Sequence, residues 1–182
     1  MNDKAEKVYA DAFFTLCLEE TPDTLKNTLG ELSALDGIFR EQPDFVKLLG
    51  TPTVTMDEKL GMIKDIIADG VSEYTGNLLC VLTERGRMGC FSGIVKNFRA
   101  LYNEHFRIAE ITVTASAPLS ESVREKIAAK MSEVTGKTVS IKEKVDPSII
   151  GGVVIDYGST RYDGSVRTRL NELKKELGGG IA

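Results

Sequence analysis

Gly151 and Gly152 stand directly ahead of Val153, Val154 and Ile155. A glycine-rich turn before an apolar run can cradle a phosphate between backbone amides, provided that a helix N-terminus lies behind it. Here the residues that follow are β-branched, so the pair opens a strand rather than a helix. The pattern points to a turn or bulge where two backbones come close, a geometry glycine tolerates best. No GxGxxG, Walker-type or GxSxG pattern occurs along the chain. His105, the single histidine, falls late in a helix beside Glu104 and Arg107, where it suits the negative helix end better than catalysis. Cys17, Cys80 and Cys90 sit in helix-like segments with no CxxC spacing. They read as free thiols in a reducing compartment, serving as small core residues. Carboxylates are numerous but fall on solvent-facing helix positions. No catalytic residue, metal site or cofactor is expected.

The totals narrow the classes further. The chain has 182 residues, 42% of them apolar and 27% charged, with a formal charge of −4. Residues 1–107 carry 12 Lys and Arg against 17 Asp and Glu, a balance of −5, and residues 108–182 carry 11 against 10, a balance of +1. Neither half has the basic excess that nucleic-acid binding relies on. No apolar run approaches the roughly 20 residues needed to span a bilayer, so no membrane insertion is expected. The opening residues MNDKAEKVYADAFF resemble neither a secretory signal nor a transit peptide.

The elements that would position these residues fall into two regimes. Up to about Arg107 the periodicity predicts helices over Lys4–Glu19, Asp23–Arg40, Pro43–Leu49, Met56–Ala68, Ser72–Arg85 and Phe91–Arg107. Prolines and glycines punctuate them at Thr21-Pro22, Gln42-Pro43, Thr51-Pro52, Asp69-Gly70 and Gly86 to Gly89. Six short helices with short connections predict an antiparallel bundle. From Ile108 the period changes. Strands are predicted over Ile108–Ala115, Thr138–Val145 and Gly152–Tyr157, with a helix opening at Ser120 and a last one over Ser165–Leu177. In that last helix Val166, Leu170, Leu173 and Leu177 recur on one side, with Arg167, Arg169, Lys174 and Lys175 elsewhere. The expected fold class is α+β with two domains: an N-terminal six-helix bundle at 1–107, then a small C-terminal α/β domain at 108–182.

The first and fifth helices are more apolar than a core-covering helix needs. At about 100° per residue, Val8, Tyr9, Ala12, Phe13 and Leu16 cover nearly half of the first helix, and Ala10, Phe14 and Cys17 widen the arc. In the fifth, Leu78, Val81 and Leu82 form one face while Leu79 and Cys80 lie outside it. A core-covering stripe is usually only a little over about 100° wide. Either both helices are central in the bundle, or they expose a groove for a partner's amphipathic helix.

The run VDPSIIGGVVIDYG, followed by DGSVRTRLNELKKEL, resembles the C-terminal signature of the ATP synthase delta subunit family. That family includes the mitochondrial oligomycin-sensitivity-conferring subunit. KVYADAFF, FVKLLGTPTV, NLLCVLTERGRM and SAPLSE resemble its other segments in the same order, covering essentially the whole chain. The departures are Tyr162, where the family usually has an aliphatic residue before Asp-Gly-Ser, and the preceding turn Gly158-Ser159-Thr160-Arg161. The resemblance implies a non-catalytic stator subunit of a rotary, proton-translocating F-type ATP synthase, peripheral on the cytoplasmic face of a bacterial plasma membrane. It further implies that the bundle holds N-terminal helices of the alpha subunits, with Tyr9, Ala12, Phe13 and Leu16 facing Asn77, Leu78 and Val81 across the groove. The C-terminal domain is expected to meet the C-terminal ends of the stalk's b subunits, and no homo-oligomer is expected. Two alternatives belong to other classes: a two-domain adaptor outside ATP synthase, and a nucleotide-binding enzyme using the Gly151-Gly152 turn.

Overall fold

The computed structural model describes residues 2–20, 22–51, 54–68 and 70–178, with side chains for all of these except 2, 22, 65–68, 177 and 178. Of the predicted breaks, Thr21, Pro52 and Asp69 lie outside the described residues. The chain divides into two compact units, Met1–Tyr102 and Asn103–Ala182. The division falls inside the last turn of a helix, whereas the sequence period changes at Ile108. Asn103 accounts for part of the difference, because its side-chain amide donates to Glu110 of the second unit at 3.3 Å.

In the first unit the described residues form α1 (Asn2–Leu18), α2 (Pro22–Glu41), α3 (Pro43–Gly50), α4 (Met56–Ala68), α5 (Glu73–Glu84) and α6 (Phe91–His105). Local chemistry sets several of these starts. Thr55 and Glu58 make a reciprocal capping box ahead of α4, with backbone N–H to side-chain oxygen distances of 3.1 and 3.4 Å. Ser72 caps α5 by accepting from the Thr75 N–H at 3.5 Å. The Ser72 and Thr75 hydroxyls both donate to Glu31 of α2 at 2.6 Å, tying the two helices by a carboxylate. Inside, Phe98 meets Phe13 and Phe14 with ring centroids 5.5 Å apart in each pair, and Leu25, Leu32, Leu79, Leu82 and Ile94 are fully buried around them.

The second unit comprises β1 (Ile108–Ala115), α7 (Glu121–Thr135), β2 (Thr138–Val145), β3 (Val153–Tyr157), β4 (Thr160–Asp163) and α8 (Val166–Gly178). The sheet order is β2-β1-β3-β4, with β1 parallel to β2 and antiparallel to β3. The parallel pair needs a crossover, which α7 supplies. Ile111, Val113 and Met131 form the buried centre, flanked by Ile127, Ile141 and Ile155. The architecture is therefore helical, with a small four-stranded mixed sheet at the C-terminal end, an α+β chain.

Two sequence expectations need correction. The stretch Gly158–Arg161, expected as a turn, contributes Thr160 and Arg161 to a fourth strand, and only Gly158 and Ser159 form the hairpin loop. Gly158 adopts φ +57°, as tight two-residue hairpins require. The sixth helix ends at His105 rather than Arg107, because Arg107 turns left-handed at φ +51° and its carbonyl accepts from the Thr138 N–H at 2.9 Å.

Candidate partner-binding face

Two contacts link α1 to the two ends of α5 and set the helices running in opposite directions. Midway along α1 the Tyr9 hydroxyl accepts from Arg87, just beyond α5, at 3.5 Å, and the guanidinium lies 5.6 Å from the Tyr9 ring centroid. Beyond the end of α1, Glu20 bonds Tyr74 in the first turn of α5 and pushes that phenol's pKa up.

Along this pair the expected contact residues separate into two layers. Ala12, Leu16, Asn77 and Val81 are exposed, Leu16 by 48% and Val81 by 42%. Val8, one turn before Ala12, is 60% exposed and extends the stripe to Val8, Ala12 and Leu16 at four-residue spacing. Tyr9 is half-buried beneath Arg87. Phe13 and Leu78 are core residues at 6% and 7% exposure rather than part of a free surface. Spacing alone did not identify Arg87. It comes from the loop after α5, where no helical periodicity reports which way a side chain turns.

The residues first considered for chemistry are committed to structure. Gly152 adopts φ +77°, and a Cβ there would collide with the carbonyl oxygen of Gly164. The crossing is held by Gly164 N–H to the Val153 carbonyl and Val166 N–H to the Gly151 carbonyl, both at 3.0 Å. Asp163 and Ser165 complete it: Asp163 accepts from the Ser165 N–H at 2.9 Å and the Thr168 hydroxyl at 2.9 Å, and buried Ser165 accepts from the Thr168 N–H at 3.2 Å, capping α8. These bonds hold the Asp163 carboxyl below its usual range. Cys17 and Cys90 are buried and Cys80 half-buried, all as free thiols, and burial pushes the Cys17 and Cys80 thiols up, away from the reactive thiolate. His105 ends α6 with its ring edge-on to Phe106 at 4.9 Å. Among the described residues no group of three His, Cys, Asp or Glu side chains could hold a metal ion, and no helix is long and apolar enough to cross a membrane.

An apolar hollow of about 400 Å³ also lies in the first unit, lined by Leu35, Ile38, Phe39, Phe45 and Val71 from α2, α3 and the segment before α5. It is lined by none of the α1 residues, so it is distinct from the α1–α5 face.

Comparison with known proteins supplies the context for this face. The protein-family model described as ATP synthase delta (OSCP) subunit matches residues 5–177. A relative named ATP synthase subunit delta from Anaeromyxobacter sp. (strain Fw109-5) is 34% identical over 170 residues, covering 93% of this chain and 94% of its own. The chloroplastic ATP synthase subunit delta of Emiliania huxleyi is 33% identical with the same coverages, and the mitochondrial ATP synthase subunit O of Ipomoea batatas is 32% identical over 93% of this chain and 70% of its own. Among solved structures, a chain of the Toxoplasma gondii mitochondrial ATP synthase hexamer shares the fold, with a TM-score of 0.70 over 94% of this chain and 96% of that one, at 22% identity. A family match spanning nearly every described residue, on a fold that leaves an apolar stripe of α1 beside α5 uncovered, establishes that this chain belongs to the ATP synthase delta (OSCP) subunit family.

Proposed function

We propose that this chain ties the catalytic head of a rotary F-type ATP synthase to its peripheral stalk, gripping an N-terminal helix of an alpha subunit along α1 and α5. Membership of the delta family makes it a non-catalytic subunit of the peripheral stalk. The first unit acts as a six-helix bundle whose contact surface is Tyr9, Ala12, Leu16, Asn77 and Val81, with Phe13 and Leu78 held in the core. The second unit meets the C-terminal ends of the b subunits. The assembly sits on the cytoplasmic face of a bacterial plasma membrane, as suits the Anaeromyxobacter relative.

The observation that carries the groove is the uncovered stripe of Val8, Ala12 and Leu16 beside exposed Val81. A soluble helix that only covered its own core would bury such a stripe. The mechanism is mechanical. Rotor torque tends to turn the head, and a stiff tether with two separated contacts resists it. Linked contacts also raise the effective concentration of each for the other, so two modest affinities suffice.

Because Ala12 and Val81 are exposed, charging them tests binding without emptying the core. In calorimetric titrations of the full chain with the alpha N-terminal peptide, Ala12→Glu and Val81→Asp should each weaken binding at least roughly a hundredfold, or about 2.7 kcal/mol. Each would place an unpaired charge in a dehydrated helix contact. Melting temperatures should stay near the parent's. Variants that fold and bind as the parent does would overturn the groove.

A further inference from the structure

The two faces of the second unit's sheet hold different things. One face buries Ile111 and Val113 against Met131 of α7. On the other, paired positions set Lys144, Thr114, Val154 and Asp163 in one row across the four strands. The turn Pro147–Ile149 and the start of α8 pack together beside this row, and between them lies a polar hollow of about 280 Å³. Ile149, Val154 and Ser165 line it from buried positions.

The acceptors on its walls are largely committed. Asp163 uses both oxygens, one on the Ser165 N–H and one on the Thr168 hydroxyl, each at 2.9 Å. Asp146 accepts from the Ser148 N–H at 2.9 Å, and the Ser148 hydroxyl accepts from Arg167 at 3.2 Å. Arg161 is engaged by Asp156 through two bonds. What remains is a set of donors. Among the described residues the Lys144 ammonium forms no hydrogen bond or ion pair, and Arg167 makes only its bond to Ser148. Thr114 is 9% exposed and lines the hollow, yet its hydroxyl has no hydrogen-bond partner among the described residues. A buried hydroxyl is rarely left so, because stranding it forfeits the bond it made to water. The first turn of α8, which supplies Arg167 and Thr168, adds the positive end of a helix dipole.

Charge and size narrow the guest. Lys144, Arg161 and Arg167 are matched by Asp146, Asp156 and Asp163, so the region is close to neutral and its attraction for an anion is modest. The unanswered donors therefore select the guest more than the net charge does. At about 30 Å³ per water, the hollow has room for a small ion and part of its hydration shell. It falls below the roughly 300–1,000 Å³ of sites for drug-sized ligands, which disfavours a nucleotide. We infer that this hollow binds a small tetrahedral oxyanion of the phosphate class, held by the Lys144 ammonium, the Arg167 guanidinium and the Thr114 hydroxyl. It lies in the second unit and depends on none of the partner contacts proposed above.

The probe is inorganic phosphate, titrated into the full chain near neutral pH at constant ionic strength while amide NMR shifts are followed. Saturable shifts in the millimolar range are expected at Thr114, Lys144, Ser148 and the first turn of α8. Sulfate should compete, and chloride should not. Thr114→Val keeps the shape and removes the hydroxyl, and Lys144→Gln removes the charge. Each should weaken binding about tenfold, the loss of one charge-assisted bond. Lys126→Gln, exposed on α7 at the opposite face, should leave binding unchanged. A lipid phosphomonoester presents the same oxygens. Vesicles containing phosphatidic acid that retain the parent, release it to added phosphate and fail to retain Thr114→Val support the site with a membrane source, whereas saturable titration without vesicle binding supports it with a free anion. Shifts that grow without saturating, or that persist unchanged in both Thr114→Val and Lys144→Gln, overturn it. So does an equal loss from Lys126→Gln, the mark of general charge screening.

Discussion

The two units of this chain are held together by different means. In the first, side chains do most of the holding: three phenylalanines meet at 5.5 Å and five large aliphatics are fully buried around them. In the second, the largest buried apolar side chains are fewer, centred on Ile111, Val113 and Met131, and much of the constraint comes from backbone and carboxylates. Residues 151–153 cross 164–166 by two main-chain hydrogen bonds. Glu143 of β2 accepts from the Leu119 N–H at 2.7 Å and from Arg124 at 2.9 Å, fastening the start of α7 to the sheet. Asp156 takes a two-pronged bond from Arg161 across β3 and β4 at 2.6 and 3.0 Å. Side-chain packing adapts to small changes by rotamer and shift, whereas a backbone crossing has no such slack. The adaptable unit is the one proposed to grip a partner helix, and the less yielding one to meet the stalk.

The contrast breaks hardest at Gly152. Replacing it by Ala places an L residue at φ +77°, worth roughly 1–2 kcal/mol, and drives a methyl into the Gly164 carbonyl, which cannot rotate away. A loss of about 2–4 kcal/mol from the second unit is expected once that clash is added. Hydrogen exchange of the β3 and β4 amides should quicken accordingly while the amides of α2 and α6 keep the parent's rates. Unchanged exchange in β3 would show that the crossing constrains nothing.

Acid should separate the units next. In the second unit hydrogen bonds depress four carboxyls: Glu143 through the Leu119 N–H, Asp146 through Ser148, Asp156 through Arg161 and Asp163 through Ser165. In the first, Glu58 is depressed through Thr55. A carboxyl whose folded pKa lies below its unfolded value stabilises the fold fully above the unfolded value, near pH 4. That contribution is lost as pH falls through the folded value. The second unit should therefore lose native NMR signals at higher pH than the first, and added salt should narrow the gap by screening the exposed pair of Asp156 and Arg161. Simultaneous loss of both sets of signals would contradict the comparison.

How legible each unit was follows from the same physics. Where one face meets a core, the period reports it, and α4, β1 and β2 have the predicted bounds Met56–Ala68, Ile108–Ala115 and Thr138–Val145. β4 escaped because Thr160, Arg161, Tyr162 and Asp163 are all exposed, so no alternation marks them. At the candidate face the excess apolar arc of α1 was visible. Its division was not, because spacing cannot tell that Phe13 turns inward while Leu16 turns out. The stripe of α8 was equally visible as a pattern, but only the fold reveals that Val166, Leu170 and Leu173 stay 39–53% exposed.

The smallest expected effect sharpens the comparison from the other side. Gly93 in the first turns of α6 is also closely approached, but by the carboxylate end of Glu6 from α1 rather than by backbone. Glu6 is half-buried, and its side chain can swing to another rotamer. Gly93→Ala gains helix propensity, at most about 1 kcal/mol, and has no positive φ to strain. The cost is the displacement of Glu6, which lies near the N-terminal end of α6, where a carboxylate is favoured by roughly 0.3–1 kcal/mol. Gain and cost nearly cancel, so the single change should shift the stability of the first unit by less than about 1 kcal/mol. Removing the obstruction separates them. In a Glu6→Ala background the same Gly93→Ala change should be stabilising, and the double-mutant cycle should yield a coupling of about 0.5–1 kcal/mol. A large loss from Gly93→Ala that Glu6→Ala does not relieve would mean that α1 and α6 meet as inflexibly as the crossing at Gly152, and the contrast between the units would fail.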